Sequence, residues 1–237
     1  MKNARTIAFK EFKSYLTSPM AYIVTSIFLL GTGVLFSGSP STYYETSISG
    51  LWGLWGTLGL LLLAAVLTMR LIAEERKMGT LELLLTAPVR DSEVILGKFL
   101  GSLGILCVML VLTLYYPILL ISFGDPDMGP IATSYLGLFL LGSATLSVGI
   151  FASSLTSNQI VAAVVAGGIL FALWFAEWAA GFLPEALTKI INYISLSYYF
   201  PNFMGGIIDT RGIVYYLSIT ALFLFLAVRS LENSRWS

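Results

Sequence analysis

The residues able to do chemistry fall in three places. A run of four charges, Glu74-Glu75-Arg76-Lys77, is followed by Gly79 and Thr80. Glu177 stands between Trp174 and Trp178, and Cys107 sits in the apolar setting Gly104-Ile105-Leu106-Cys107-Val108-Met109. There is no His, which excludes Ser-His-Asp and Cys-His catalysis and imidazole metal sites. A lone Cys cannot make an internal disulfide, a thiolate zinc site or a CxxC redox pair, so Cys107 reads as a buried small hydrophobe. The Gly97-Lys98 pair lacks the upstream Gly of a phosphate loop and is followed by Phe99, so no P-loop of its own binds ATP. Catalytic, cofactor and metal residues are therefore not expected in this chain. Thirteen basic and thirteen acidic residues leave no net charge, and so no electrostatic footprint for nucleic acid.

The composition dictates what positions these residues. Of 237 residues 57% are apolar and only 11% charged, against about 25% charged in a soluble chain. So little charge cannot cover a globular surface; the chain must lie in lipid. About 20 apolar residues in a helix cross the hydrocarbon layer. Six stretches qualify: 20–36, 51–69, 99–123, 131–152, 160–183 and 212–228. Five carry no charge and the fifth in order carries only Glu177. Pro117 falls near the outer end of the third and is expected to kink it.

Basic residues in the connections set the orientation. Lys2, Arg5, Lys10, Lys13, Arg70, Arg76, Lys77, Arg90, Lys98, Arg229 and Arg235 share one side, and only Lys189 and Arg211 lie on the other. Both termini are therefore expected in the cytoplasm. Aromatic residues gather at the span ends, as in interfacial belts. Residues 1–17 read as an amphipathic interfacial helix: Ala4, Ile7, Ala8, Phe12, Tyr15 and Leu16 form a stripe, with the basic residues elsewhere and Phe9 off it. A cleaved secretory signal fits less well, because the apolar stretch begins only at Met20.

An ion-driven transporter usually carries ionisable groups at mid-membrane. Here only Glu177 qualifies, either as an interfacial carboxylate or as a charge at the outer mouth of a pathway. Energy for any transport must then enter from another chain. Gly97-x-x-x-Gly101 and Ser143-x-x-x-Ser147, with Gly142 and Gly149, mark close helix approach, first of all within the chain.

The cytoplasmic connection 70–98 holds most of the polar residues. Gly79 is expected to end the charged turn, and Thr80 to cap a short helix with Glu82 near its start. Pro88 stops that helix, and Asp91 or Ser92 caps the third span with Glu93 in its first turn. Leu81, Leu83, Leu84 and Leu85 give the short helix more apolar surface than it can bury alone. It needs a groove, on a partner or in the bilayer surface.

The run Met69-Arg70…Glu74-Glu75-Arg76-Lys77…Gly79-Thr80-Leu81-Glu82-Leu83-Leu84…Pro88…Gly97-Lys98 resembles the signature of ABC-2 type exporter permeases. The run Ile208-Asp209-Thr210-Arg211…Tyr215-Tyr216-Leu217-Ser218…Arg229-Ser230-Leu231-Glu232…Arg235-Trp236 resembles the gliding-motility branch of that family. The resemblance implies one transmembrane domain over 1–237 in a bacterial or archaeal inner membrane. It implies that 80–88 is a coupling helix seated in an ATPase subunit, with Glu74, Glu75, Arg76, Lys77, Gly79, Thr80, Leu81, Glu82, Leu83, Leu84, Leu85 and Pro88 as the coupling residues. The partners would be ABC ATPase subunits, which bind the ATP and Mg, and a second permease copy or paralogue. The outer connection 184–211 carries a helical stripe, Leu183, Leu187, Ile190, Ile191 and Ile194. Family likeness makes it re-entrant near an outer gate, at Tyr198, Tyr199, Phe200, Pro201, Gly205 and Gly206. The first outer loop, 37–50, is short for that branch, so no recognition surface is expected there. The function implied is the permease subunit of an ATP-driven exporter; the alternative is a membrane scaffold through which an ATPase does mechanical work. An intramembrane enzyme finds no support.

Overall fold

The computed structural model describes residues 2–38, 48–80, 89–181 and 184–234. These residues form helices and no strand. In order they are α1 (Lys2–Thr17), α2 (Pro19–Gly38), α3 (Ser49–Trp52), α4 (Leu54–Thr68), α5 (Ala73–Lys77) and α6 (Asp91–Thr113). There follow α7 (Tyr115–Phe123), α8 (Met128–Ser154), α9 (Gln159–Ala180), α10 (Glu185–Ile194), α11 (Phe200–Met204) and α12 (Thr210–Ser234).

Six helical stretches are long and apolar enough to cross a membrane: Pro19–Gly38, Leu54–Lys77, Asp91–Ser122, Met128–Ser154, Gln159–Ala180 and Thr210–Asn233. Each overlaps one expected span, so the architecture is the all-α, six-span one. Several edges differ. The second span is interrupted: α3 ends at Trp52, Gly53 is extended, and α4 begins at Leu54. The fifth ends at Ala180, short of 183. The third begins at Asp91, eight residues before the apolar stretch, because its charged first turns are covered by α1. Arg90, rather than Asp91 or Ser92, is the capping position, and its N–H donates to Glu93 Oε2 at 3.4 Å.

Pro117 acts as expected. Without an N–H, and with its ring against the carbonyl four residues back, it cannot continue α6. The helix breaks at Leu114 and restarts as α7. The two pieces have different attachments. Tyr116 on α7 donates to the Leu29 carbonyl of α2 at 3.0 Å and lies 3.1 Å from the Thr32 hydroxyl.

α8 is the axis of the bundle. It packs against α4, α6, α9, α11 and α12, and 83% of its apolar 18-residue stretch is buried, against 22% for the corresponding stretches of α2, α9 and α12. Its small residues explain why. A Cβ at Gly137, Gly142 or Gly149 would run into Phe203, Leu106 or Thr68. The hydroxyls of Ser143 and Ser147 donate to their own helix's carbonyls, both at 2.7 Å, so neither of these two is stranded among apolar neighbours.

Gly97 and Gly101 also serve packing within the chain. α1 runs beside the start of α6 in the same direction, their contacts advancing in step. A Cβ on Gly97 would lie 2.7 Å from Ile7, on Gly101 2.6 Å from Glu11, and on Gly104 2.8 Å from Phe12. Ala4 and Tyr15 of the expected stripe are buried, Phe9 faces outward, and Leu16 is more exposed than its stripe position suggests.

Candidate functional site

At the end where both termini lie, three helices meet on one lysine. Lys98, on α6 between the two glycines that admit α1, is 1% exposed. Its Nζ lies 2.9 Å from Glu11 Oε1 on α1 and 2.8 Å from Glu75 Oε1 on α5. A buried charge is tolerated when paired and hydrogen-bonded, and two carboxylates satisfy this one. The contact ties the N-terminal helix and the connection after the second span to the root of the third. Glu75 Oε2 and Arg76 Nη2 are buried with no hydrogen-bond partner among the described residues.

Around the lysine lies a polar cavity of about 630 Å³, with Glu74, Arg70 and Lys10 in its wall. Tyr15, also in the wall, donates to the Leu67 carbonyl at 2.7 Å and lies under the Arg70 guanidinium, 5.3 Å from its ring centre. Burial pushes the Tyr15 phenol well above its ordinary value, against a smaller opposing pull from Arg70. It therefore stays a donor to Leu67. Arg70 also donates to Ser18 at 3.1 Å. On the other side, Ser153 of α8 accepts from Ile72 N (3.1 Å) and Ala73 N (3.0 Å) and donates to Met69 O (3.1 Å). It holds the turn from α4 into α5.

Of the expected coupling residues, Glu74, Glu75 and Arg76 are half-buried at this junction, while Lys77 and Thr80 are exposed. Gly79 follows α5 with φ of +70°, the left-handed conformation that ends a helix, as expected. Thr80 donates to the Glu75 carbonyl at 3.3 Å. Leu81, Glu82, Leu83, Leu84, Leu85 and Pro88 lie outside the described residues. The lysine and Ser153 were missed in the sequence. The signal for Lys98 was present: a lysine between two glycines is covered by whatever helix those glycines admit.

At the opposite end, the segment after α10 folds back onto α9. Leu196 N donates to Leu173 O at 3.0 Å, and Ser197 Oγ reaches Trp174 O at 2.9 Å and Glu177 Oε2 at 2.6 Å. Tyr215 and Tyr216 of α12 donate to the carbonyls of Ile194 and Leu196. Of the expected gate residues, Tyr199 and Phe200 are buried, while Tyr198 and Pro201 are exposed. Gly205 N donates to Pro201 O, closing α11, and Gly206 takes φ of +85° beside Pro130. The Leu187, Ile190 and Ile194 side chains of α10 are exposed, an apolar stripe not covered by the described residues.

The model of the ABC-2 family transporter proteins matches residues 5–227, nearly the whole chain. The chain belongs to the ABC-2 transporter family. Two curated relatives are both described as "Probable multidrug ABC transporter permease YbhS", one from Escherichia coli strain K12 and one from Escherichia coli O157:H7. Each is 28% identical over 186 residues, covering 73% of this chain and 46% of the relative. The chain thus spans about half the length of the curated relatives it matches. Six apolar spans in a member of the ABC-2 family make this a multi-pass membrane protein.

Proposed function

We propose that this chain is the membrane subunit of an ATP-driven exporter, working with a separate ATPase that docks on residues 74–88. The observation that carries the reading is the Lys98 junction. Family membership and the two permease relatives support a transport role. The junction gives such a role a path for force. A load entering through the connection reaches Glu75 first, then Lys98, and so moves α6 and α1 together. The basic residues of the connections support a cytoplasmic position for this end, and the reading puts the protein in the inner membrane of a bacterium or archaeon. ATP and Mg belong to the partner, since this chain has no phosphate loop. A second permease, copy or paralogue, completes the pathway, and the exposed faces of α2 and α9 give it room. The C-terminal run favours the gliding-motility branch.

The test is co-purification with the ATPase. Leu84→Arg, or deletion of 80–86, should abolish it while membrane insertion persists; unchanged co-purification removes the docking assignment.

A further inference from the structure

The cavity at the end away from the termini has an unusual lining. It holds about 840 Å³, within the range of about 300–1,000 Å³ for sites of drug-sized ligands. Among its described lining residues are the rings of Trp52, Trp174, Phe175, Trp178 and Phe200, and a single charge, Glu177. No Lys or Arg is among those described residues. Three other carboxylates find cations: Glu11 and Glu75 share Lys98, and Glu232 meets Arg229 at 2.8 Å. Glu177 has a hydroxyl partner, Ser197, and no basic one among the described residues. The short bond from Ser197 aims the carboxylate without neutralising it.

We propose that this cavity binds a bulky organic monocation without hydrogen-bond donors, a quaternary or charge-delocalised centre whose charge meets Glu177 and whose surface meets the aromatic rings. This names the cargo class for the exporter reading and rests on it. Three alternatives fit worse. An anion would face an unopposed carboxylate. A metal ion needs about six oxygen ligands, and the described residues hold no cluster of three candidate ligating groups. A primary ammonium carries three donors, and the polar side chains of the described wall are Glu177, Ser197 and Thr57, the last already bonded to carbonyls at the start of its own helix; the rest are mainly rings and aliphatic groups. A cation without donors loses nothing there and gains from ring faces, an attraction that strengthens once water is excluded. Of its tryptophans, Trp174 is 6% exposed and Trp178 74%, so Trp178 stands at the outer edge of the described wall.

The test compares two probes of one shape and opposite charge. Tetraphenylphosphonium and tetraphenylborate are measured by equilibrium binding to the full chain in lipid nanodiscs, with lipid-only discs subtracted. The phosphonium should bind above the lipid background and the borate should not. Glu177→Gln keeps an acceptor for Ser197 and should weaken the phosphonium by about tenfold or more. Trp178→Ala, at an exposed position that folding tolerates, should weaken it about threefold. Equal binding of the two probes, or phosphonium binding unchanged in both variants, overturns the site. Co-purification with the ATPase is scored on the same preparations. If it persists while the probes bind alike, the cavity assignment falls and the exporter reading stands; if it is lost in the unmodified chain, the exporter reading falls on its own.

Discussion

The two ends of the bundle treat charge in opposite ways. Near the termini, Lys98 is enclosed by Glu11 and Glu75, and the attraction is used up inside the chain. At the far end Glu177 is aimed by Ser197 and left without a cation among the described residues. A closed ionic cluster holds helices in register; an open carboxylate among rings has one hydroxyl contact and its charge is left to meet a ligand. On the readings proposed above, the contrast separates a region that carries load from one that contacts a ligand.

Four substitutions would break or sharpen that contrast. Lys98→Met should be the most damaging, because it leaves two carboxylates facing each other. About 3 kcal/mol is expected, the low end for breaking a buried pair, since both glutamates retain some solvent. Thermal unfolding in detergent measures it, and the triple variant with Glu11→Gln and Glu75→Gln should recover most of the loss. Ser153→Ala strands the N–H groups of Ile72 and Ala73 and should cost about 2 kcal/mol by the same measurement. Gly101→Ala puts a methyl 2.6 Å from the Glu11 side chain and 3.2 Å from the Ala8 carbonyl; about 1 kcal/mol is expected, with α1 becoming easier for a protease to reach. Glu177→Gln should change stability by less than about 0.5 kcal/mol. A large loss there would mean that the far end is as much a structural cluster as the near one.

The six spans were legible because hydropathy over twenty residues is a local property, and the packing role of Gly97 and Gly101 was legible because only glycine admits a backbone so close. The start of the third span was not. A charge at position 98 stopped the apolar count, yet the helix continues to Asp91 because Glu11, eighty-seven residues upstream, neutralises that charge. Ser153 was invisible for a similar reason: its partners, Met69, Ile72 and Ala73, lie on another helix pair. The break at Gly53 also escaped, since glycine spacing alone does not say which glycine ends a helix. For the candidate sites, Glu177 stood out as a charge in an apolar span. Its hydroxyl partner depends on how 195–197 folds back, which the local pattern of residues does not encode.

The break at Leu114 divides the third span mechanically. From Asp91 to Thr113 α6 is one rod of 23 residues, about 34 Å long at 1.5 Å per residue. Its lower end is gripped at Lys98, and at its upper end the Thr113 hydroxyl oxygen accepts from Tyr135 of α8 at 3.2 Å. Past the break, the stub α7 is fastened instead to Leu29 and Thr32 of α2. On the proposed reading, a tilt levered in at the lysine would run up the rod for about 22 Å and arrive at the central helix, while the cap beyond the proline need not follow.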